Sequence, residues 1–385
     1  MREPPKGPIK WIRRRVLPWS SRLTALAGVL VLGVWGLGAV LTDSSHWSQY
    51  LWWLPSWPAL VLAWAGWSLS AALGALSTRL GGAFVRPFLL VACLIATAWV
   101  GLVEWRLYRV VRIGSANDPV RVVHWNLAQA AGRPGLANSV LELEPDIAVV
   151  ANPRRDEQFE PLMLGLTEVG DSDDPARPTF ARFGRFAVAS RFPIVRSGEA
   201  ALHRLADTDS EWVTWWDHGR VAFFEFEMPD RRSGPGRPVV VWVVDLPSDP
   251  RLWRMDVMRE ARRAIDSWTG PAKAPNTIGL WQAVEAPGGF PPPDVVVGDF
   301  NAPRGSGSLG LVVDGLTEAH RAAGLGPDAS WRPQHARFGF VPRLWHIDLA
   351  FVGPSWRVRG YDVHPGPVGG HALQAVDIEW AGGEP

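Results

Sequence analysis

The sequence predicts a chain in two parts: three membrane-spanning helices over residues 23–104 and one α/β domain over residues 117–385. Three observations carry this expectation. Long apolar runs, nearly free of charge, follow one another in the N-terminal part. From about residue 115 charged residues rise, prolines become frequent and the apolar runs shorten to strand length. Several of the short runs end in Asn, Asp or Ser, which puts polar side chains at strand ends.

Composition sets the outer bounds. The chain has 385 residues, enough for a membrane segment and one large domain. A net charge of +1 gives no global basic field and disfavours long duplex DNA, whose binding leans on many cationic contacts. The single cysteine, Cys93, excludes a disulfide within the chain. Several of the 23 tryptophans cluster over residues 47–67, and tryptophan favours the boundary between bilayer and water.

The apolar runs cover residues 23–41, 58–76 and 87–103. Each is near the ~20 residues that cross a bilayer, the third a little short. Residues 1–22 form a basic N-terminus, with Lys6, Lys10, Arg13, Arg14, Arg15 and Arg22, which the positive-inside rule assigns to the cytoplasm. The loop over residues 43–49 has no Lys or Arg, whereas the next loop carries Arg79 and Arg86. Three crossings then put the C-terminal domain outside the cytoplasm, although Arg106, Arg109 and Arg112 pull the other way. Two further spans follow the first, so it reads as a retained anchor rather than a cleaved signal peptide. The runs hold no charged residue apart from Arg86 near an end, which argues against a transporter or channel.

Beyond residue 115, strand-length runs lie at residues 120–123, 147–150, 186–189, 221–226, 239–244, 295–297 and 347–352. Amphipathic helices are expected over residues 135–144 and 253–268, the second with Arg and Asp on its exposed side. Pro and Gly clusters at 233–238, 270–275 and 286–293 read as loops. The strongest local signal is the run Val295, Val296, Val297 followed by Gly298, Asp299, Phe300 and Asn301. Alternate residues of an extended segment point the same way, so Asp299 and Asn301 face one pocket. There a carboxylate can orient water or a metal, and an amide can donate to a phosphoryl oxygen.

Other strand ends repeat the pattern. Asn126 follows the first run, Asn152 the second and Asp245 the fifth; Ser190 and Arg191 precede a turn at Pro193. Asp348 sits in the last run, and His371 follows Gly369 and Gly370. His124 is expected to turn away from Asn126 and pack against the neighbouring layer. Asp217 and His218 are adjacent and therefore point to opposite faces of an extended segment. Arg154, Arg155, Arg231 and Arg232 read as solvated loop charges.

In order and spacing, about residues 120–380 resemble the endonuclease/exonuclease/phosphatase superfamily of DNase I-like proteins. The residues that carry the likeness are Gly298-Asp-Phe-Asn301, Arg343-Leu-Trp-His-Ile-Asp348 and Asn126. With three helices in front, the chain resembles a membrane-bound bacterial subgroup of that superfamily. The resemblance implies a four-layer α/β sandwich with its active site at the sheet ends. It also implies hydrolysis of a phosphodiester, in nucleic acid or a phospholipid head group, assisted by Mg2+ or Mn2+. Under it Asp299 orients or activates water, Asn301 and Asn126 hold phosphate oxygens, His371 stabilises the charge that develops, and Asp348 fixes the tautomer of His371. The metal would fall to Asn152, Asp245 and Asp299. The implied setting is a bacterial inner membrane, crossed several times, with the bilayer as partner and the domain extracytoplasmic.

Three positions depart from the family pattern. Asn152 stands where the family places its metal-binding glutamate, Asp245 where it usually has histidine, and Gly370 where it usually has aspartate. An amide brings a hard cation an oxygen without a charge. Two readings follow from this. Either Asp245, or a nearby carboxylate such as Asp156 or Glu157, supplies the missing charge, or the domain is a degenerate member that binds without hydrolysing.

Overall fold

The computed structural model describes residues 8–77, 84–111, 119–128, 135–153, 162, 165–166, 179–202, 219–228, 238–276, 280–285, 288–333 and 342–381. Lys6, Arg79, Arg112, Arg154, Arg155, Asp156, Glu157, Asp217, His218, Arg231 and Arg232 lie outside them. The chain forms two compact units, Met1–Tyr108 and Arg109–Pro385.

In the first unit three helices, Pro8–Leu41, Ser56–Leu76 and Val85–Glu104, are long and apolar enough to cross a membrane. The first begins earlier than its apolar run, so that Lys10 to Arg22 continue it as a basic extension. Arg86 belongs to the first turn of the third helix and not to the loop before it. The helices meet over small residues. A Cβ at Gly66 would lie 3.0 Å from the Thr24 carbonyl, and Ala25, Ala63 and Cys93 are fully buried. Backbones approach closely there, and the Ser21 hydroxyl donates to the Ser70 carbonyl at 2.8 Å. Leu26, Leu30, Val61, Leu62 and Ile95 point outward.

Among the described residues the second unit is built on fourteen strands: β1 (Val120–Asn126), β2 (Ile147–Ala151), β3 (Phe180–Phe183), β4 (Phe186–Ser190), β5 (Ile194–Ala201), β6 (Arg220–Phe226), β7 (Val239–Asp245), β8 (Ala272–Pro275), β9 (Trp281–Val284), β10 (Val295–Asp299), β11 (Thr317–Glu318), β12 (Asp348–Val352), β13 (Trp356–His364) and β14 (Leu373–Trp380). They form a six-stranded sheet, β13-β14-β1-β2-β4-β3, and an eight-stranded sheet, β11-β12-β10-β7-β6-β5-β8-β9. Val122, Val149 and Val376 of one sheet pack against Phe224, Val243 and Val297 of the other. The helix Leu136–Leu141 covers the outer face of the first sheet and Arg254–Asp266 that of the second. Helix, sheet, sheet and helix make the four layers expected. The valine-rich strands are buried on both faces, which explains their continuous rather than alternating apolar pattern.

Differences from the sequence reading fall mainly at edges. Residues 270–275 read as a loop, yet Ala272–Pro275 pairs with both β5 and β9. Proline is tolerated there because an edge region leaves backbone positions without a ladder partner. The strands β13 and β14 also escaped notice as a pair. Arg357, Arg359 and Asp362 give β13 a polar outer face that masks its strand period. In the helix Arg254–Asp266, Arg254 does not lie on the exposed side. It shares the inward stripe of Val257, Met258, Ala261 and Ile265 and is buried.

Candidate active site

The two sheets bring their polar strand ends to one edge of the sandwich. In the larger sheet Asp299 pairs in register with Asp245 of β7 on one side and Asp348 of β12 on the other. Three carboxylates therefore stand abreast on adjacent strands, all buried. Gly298 makes this row possible, because its φ of 154° brings it against β7, where a Cβ would lie 2.0 Å from the Val244 carbonyl oxygen. From the smaller sheet, Asn126 closes β1 and Asn152 follows β2. Asn152 and Asn301 are in the left-handed region, φ 54° and 45°, which asparagine tolerates better than most residues.

A hydrogen-bonded chain links these groups. Asn126 Nδ2 donates to Asp299 Oδ2 at 2.8 Å, while its Oδ1 accepts from the Ala128 amide at 2.9 Å. Asn152 Nδ2 donates to Asn126 Oδ1 at 3.1 Å and to Asp245 Oδ2 at 3.0 Å. Asp245 also faces Arg185 at 3.8 Å. The Asn301 amide nitrogen donates to Asp299 Oδ1 at 2.9 Å, and its side chain donates to the Leu246 carbonyl at 2.8 Å. Arg254 braces this loop from below, donating to the carbonyls of Asn301 at 3.1 Å, Pro247 at 2.6 Å, and Asp249.

On the other side, His371 Nδ1 lies 3.0 Å from Asp348 Oδ2 and 3.7 Å from Asp299 Oδ2. The Ser330 hydroxyl accepts from the amides of Ile347 at 3.1 Å and Asp348 at 3.0 Å, which holds the start of β12. Burial by itself would lower the His371 pKa, but the carboxylates of Asp348 and Asp299 outweigh it and raise it to about 9. The ring is then an imidazolium at neutral pH, with Nδ1–H given to Asp348 and Nε2–H left for another acceptor. Burial, and then the Asp348 carboxylate, hold Asp299 well above the usual carboxylate range. A carboxyl group so placed takes a proton more readily than one in water.

The structure thus brings together all seven residues singled out from the sequence, Asn126, Asn152, Asp245, Asp299, Asn301, Asp348 and His371. One expectation is corrected. His124 is two residues from Asn126 and shares its face of β1, as a strand period of two requires. It lies buried beneath the site, 3.0 Å from Gln374 Nε2, and burial lowers its pKa to about 4. Arg185, Arg254 and Ser330 were not foreseen. For Arg254 a signal existed, since residues 254, 257, 258, 261 and 265 follow helical spacing along one stripe.

The donor set fits a hard divalent cation. Asp245 and Asp299 offer charged oxygens, and Asn152 Oδ1 is a buried carbonyl oxygen with no hydrogen-bond partner among the described residues. Asp299, Asp348 and His371 also converge closely enough to hold an ion. Nδ1 of His371, however, is at hydrogen-bond distance from Asp348, which marks it as a proton donor rather than a ligand.

The charge on His371 has a measurable consequence. Its pKa is raised, so the imidazolium is present through neutral pH and is lost as pH rises through about 9. An alkaline limb near pH 9 is expected in kcat/KM, and His371→Gln is expected to remove that limb along with most of the activity. A pH profile that stays flat to pH 10 would contradict the assignment.

A model of the endonuclease/exonuclease/phosphatase family matches residues 123–370, more than half of the chain, and His371 follows directly. Similar solved structures include an endonuclease/exonuclease/phosphatase family protein from Bacteroides thetaiotaomicron, 16% identical over 69% of this chain and 99% of that one, with a TM-score of 0.45. A mannosyl-6-phosphatase from the same organism is 16% identical over 68% of this chain and 100% of its own, with a TM-score of 0.42. Truncated TDP2 from Caenorhabditis elegans is 16% identical over 68% of this chain and 97% of its own, with a TM-score of 0.40. No curated protein matches the chain in sequence.

Proposed function

Because the chain belongs to the endonuclease/exonuclease/phosphatase family, we propose that it is a membrane-anchored, metal-dependent phosphodiesterase whose domain, residues 117–385, works outside the cytoplasm. The observation that carries the reading is the row of Asp245, Asp299 and Asp348 with His371 held on Asp348. Such a row suits in-line attack of water on phosphorus. Asp299, poised to accept a proton, takes it from the attacking water. The imidazolium of His371 presents Nε2–H to the negative charge that develops on the phosphoryl oxygens, or to the leaving oxygen. Asp348 keeps the ring oriented and compensates its charge. The amides of Asn126 and Asn301 each use one N–H on a protein acceptor, and the second is available to a phosphoryl oxygen. Mg2+ or Mn2+ held by Asp245, Asp299 and Asn152 Oδ1 would supply Lewis-acid neutralisation of the phosphate.

Asp245 replaces the charge that Asn152 lacks. A glutamate at position 152 would face the carboxylate of Asp245, whereas the Asn152 amide donates to it. The two departures from the family pattern therefore compensate each other across one hydrogen bond.

The full-length protein in detergent should hydrolyse an aryl phosphodiester with Mg2+ or Mn2+ and lose that activity to a chelator. Calorimetry should show metal binding weakened in Asp245→Asn. A folded protein with neither turnover nor metal binding would overturn the hydrolase and leave the second reading, a binding or scaffold module, which Asn152 in place of glutamate favours. Orientation at the inner membrane is tested separately. A C-terminal reporter active only outside the cytoplasm should give signal, and a signal from a cytoplasmic reporter alone would reverse the topology.

A further inference from the structure

One end of the membrane unit gathers positive charge that the unit itself does not neutralise. Residues 4–42 and 44–103 hold no Asp or Glu, while Lys10, Arg13, Arg14, Arg15 and Arg22 enter the first helix and Arg86 opens the third. Two of these guanidiniums converge on the last turn of the second helix, Ser56–Leu76. Arg13 Nε donates to the Leu76 carbonyl at 3.1 Å, and the Ser77 hydroxyl donates back to the Arg13 carbonyl at 3.3 Å. Arg86 lies against Gly74, where a Cβ would come within 2.9 Å of the guanidinium carbon.

Arg86 has to stretch to arrive there. Gly28 packs against both Leu89 and Ala63, which sets the level of the third helix on the second. Gly74 lies eleven residues beyond Ala63, roughly 16 Å along its helix, whereas Arg86 is three residues from Leu89, or about 4.5 Å. The side chain therefore runs toward the helix end, as a long cation does to reach head-group level. Its Nε is a buried donor with no hydrogen-bond partner among the described residues, and among those residues no carboxylate lies at this end. An idle buried N–H on a cation is costly unless an anion joins it. The surroundings suit a lipid. Trp11 and Trp19 are exposed, with Arg22 over the Trp19 ring at 5.6 Å, and Leu23, Leu26 and Phe88 expose apolar surface next to them.

We propose that Arg13 and Arg86 form a site for the phosphate of one anionic phospholipid, whose acyl chains lie along the exposed apolar faces of the helices. The proposal rests on the membrane reading and is independent of the hydrolase one. The Leu76 bond takes Nε of Arg13, and the fork of its Nη groups matches phosphate oxygens. A glycerol head group leaves the charge of its phosphate uncompensated, whereas a choline would add a cation to an end already crowded with them.

The test titrates the full-length protein, purified in a maltoside detergent and freed of lipid, with dioleoylphosphatidylglycerol and with dioleoylphosphatidylcholine, counting bound copies by native mass spectrometry. The first copy of phosphatidylglycerol should bind at least about tenfold more tightly than phosphatidylcholine, the lower bound for one charged hydrogen bond. Arg86→Gln should weaken that copy by about tenfold to a hundredfold, Arg13→Gln should act in the same direction, and Arg86→Lys should keep part of the preference. Arg14→Gln is the control, since Arg14 is exposed and makes no bond to the second helix among the described residues. It should cost no more than about fivefold, the worth of an exposed ion pair. Equal losses in Arg14→Gln and Arg86→Gln would leave only a diffuse basic field and overturn the site. Equal binding of the two lipids by the wild type would overturn it too, and that comparison needs no variant to fold. Release of the chain from membranes by alkaline carbonate would overturn the membrane reading and the site with it, whereas retention without a lipid preference overturns the site alone.

Discussion

Asp299→Asn is expected to lower kcat by at least about a thousandfold while leaving the thermal midpoint of the domain within a few degrees of the wild type. The loss has two sources. The amide cannot accept the proton of the attacking water, an effect on the order of a hundredfold to ten-thousandfold for a positioned base. It also removes the central charge of the row that Asp245 and Asp348 flank. The near-unchanged stability follows from opposing contributions. Burial and the Asp348 carboxylate disfavour the ionised form of Asp299, so its charge is a liability to the fold at neutral pH. Against that gain, the one remaining side-chain oxygen serves only one of two donors, so either Asn126 Nδ2 or the Asn301 amide loses an acceptor, which costs about 1–3 kcal/mol. Activity measured beside a thermal scan separates the outcomes. A variant that unfolds far below the wild type would make the row structural, and one that keeps full activity would remove Asp299 from the chemistry.

The parts of this domain legible in its sequence are those in which one strand decides the outcome. Val239–Asp245 and Val295–Asp299 declare themselves as buried strands, and each ends in its own polar residue, so half of the site could be placed from local pattern. The same rule of alternation, applied correctly, also puts His124 beneath Asn126. What stayed hidden depends on partners distant in sequence. Arg185 meets Asp245 from β4's hairpin, and Arg254 reaches the Asn301 loop from a helix. That Asn152 turns its Nδ2 to Asp245 while its Oδ1 stays open is visible only when Asp245 is beside it. The edge strands were missed for a related reason, since a strand with one polar face and few neighbours carries a weak apolar period.

Gly298→Ala is expected to destabilise the domain by about 3–5 kcal/mol, the range of large backbone and packing defects, and to abolish activity with it. In the sequence this glycine looks like punctuation before Asp299. In the structure it is a contact. Gly298 pairs in register with Val244, and a methyl group there would lie 2.0 Å from the Val244 carbonyl oxygen and 2.7 Å from its carbonyl carbon and amide nitrogen. Backbone cannot swing aside as a long side chain can, so β7 and β10 would have to part by more than 1 Å, on the order of the shortfall from van der Waals contact. That displacement falls between the residues whose successors are Asp245 and Asp299, and it would widen the carboxylate row at its centre. Gly288→Ala is the matched control. Gly288 also has a positive φ, 75°, but a Cβ there meets nothing within 4 Å, so it should cost only about 1 kcal/mol of left-handed strain. Denaturation midpoints of the two variants decide the matter. If they agree within about 1 kcal/mol, position 298 matters only for its backbone angle. If Gly298→Ala is far worse, the glycine of the Gly298-Asp-Phe-Asn301 motif is required by the approach of two strands, and the chemistry of Asp299 depends on that approach.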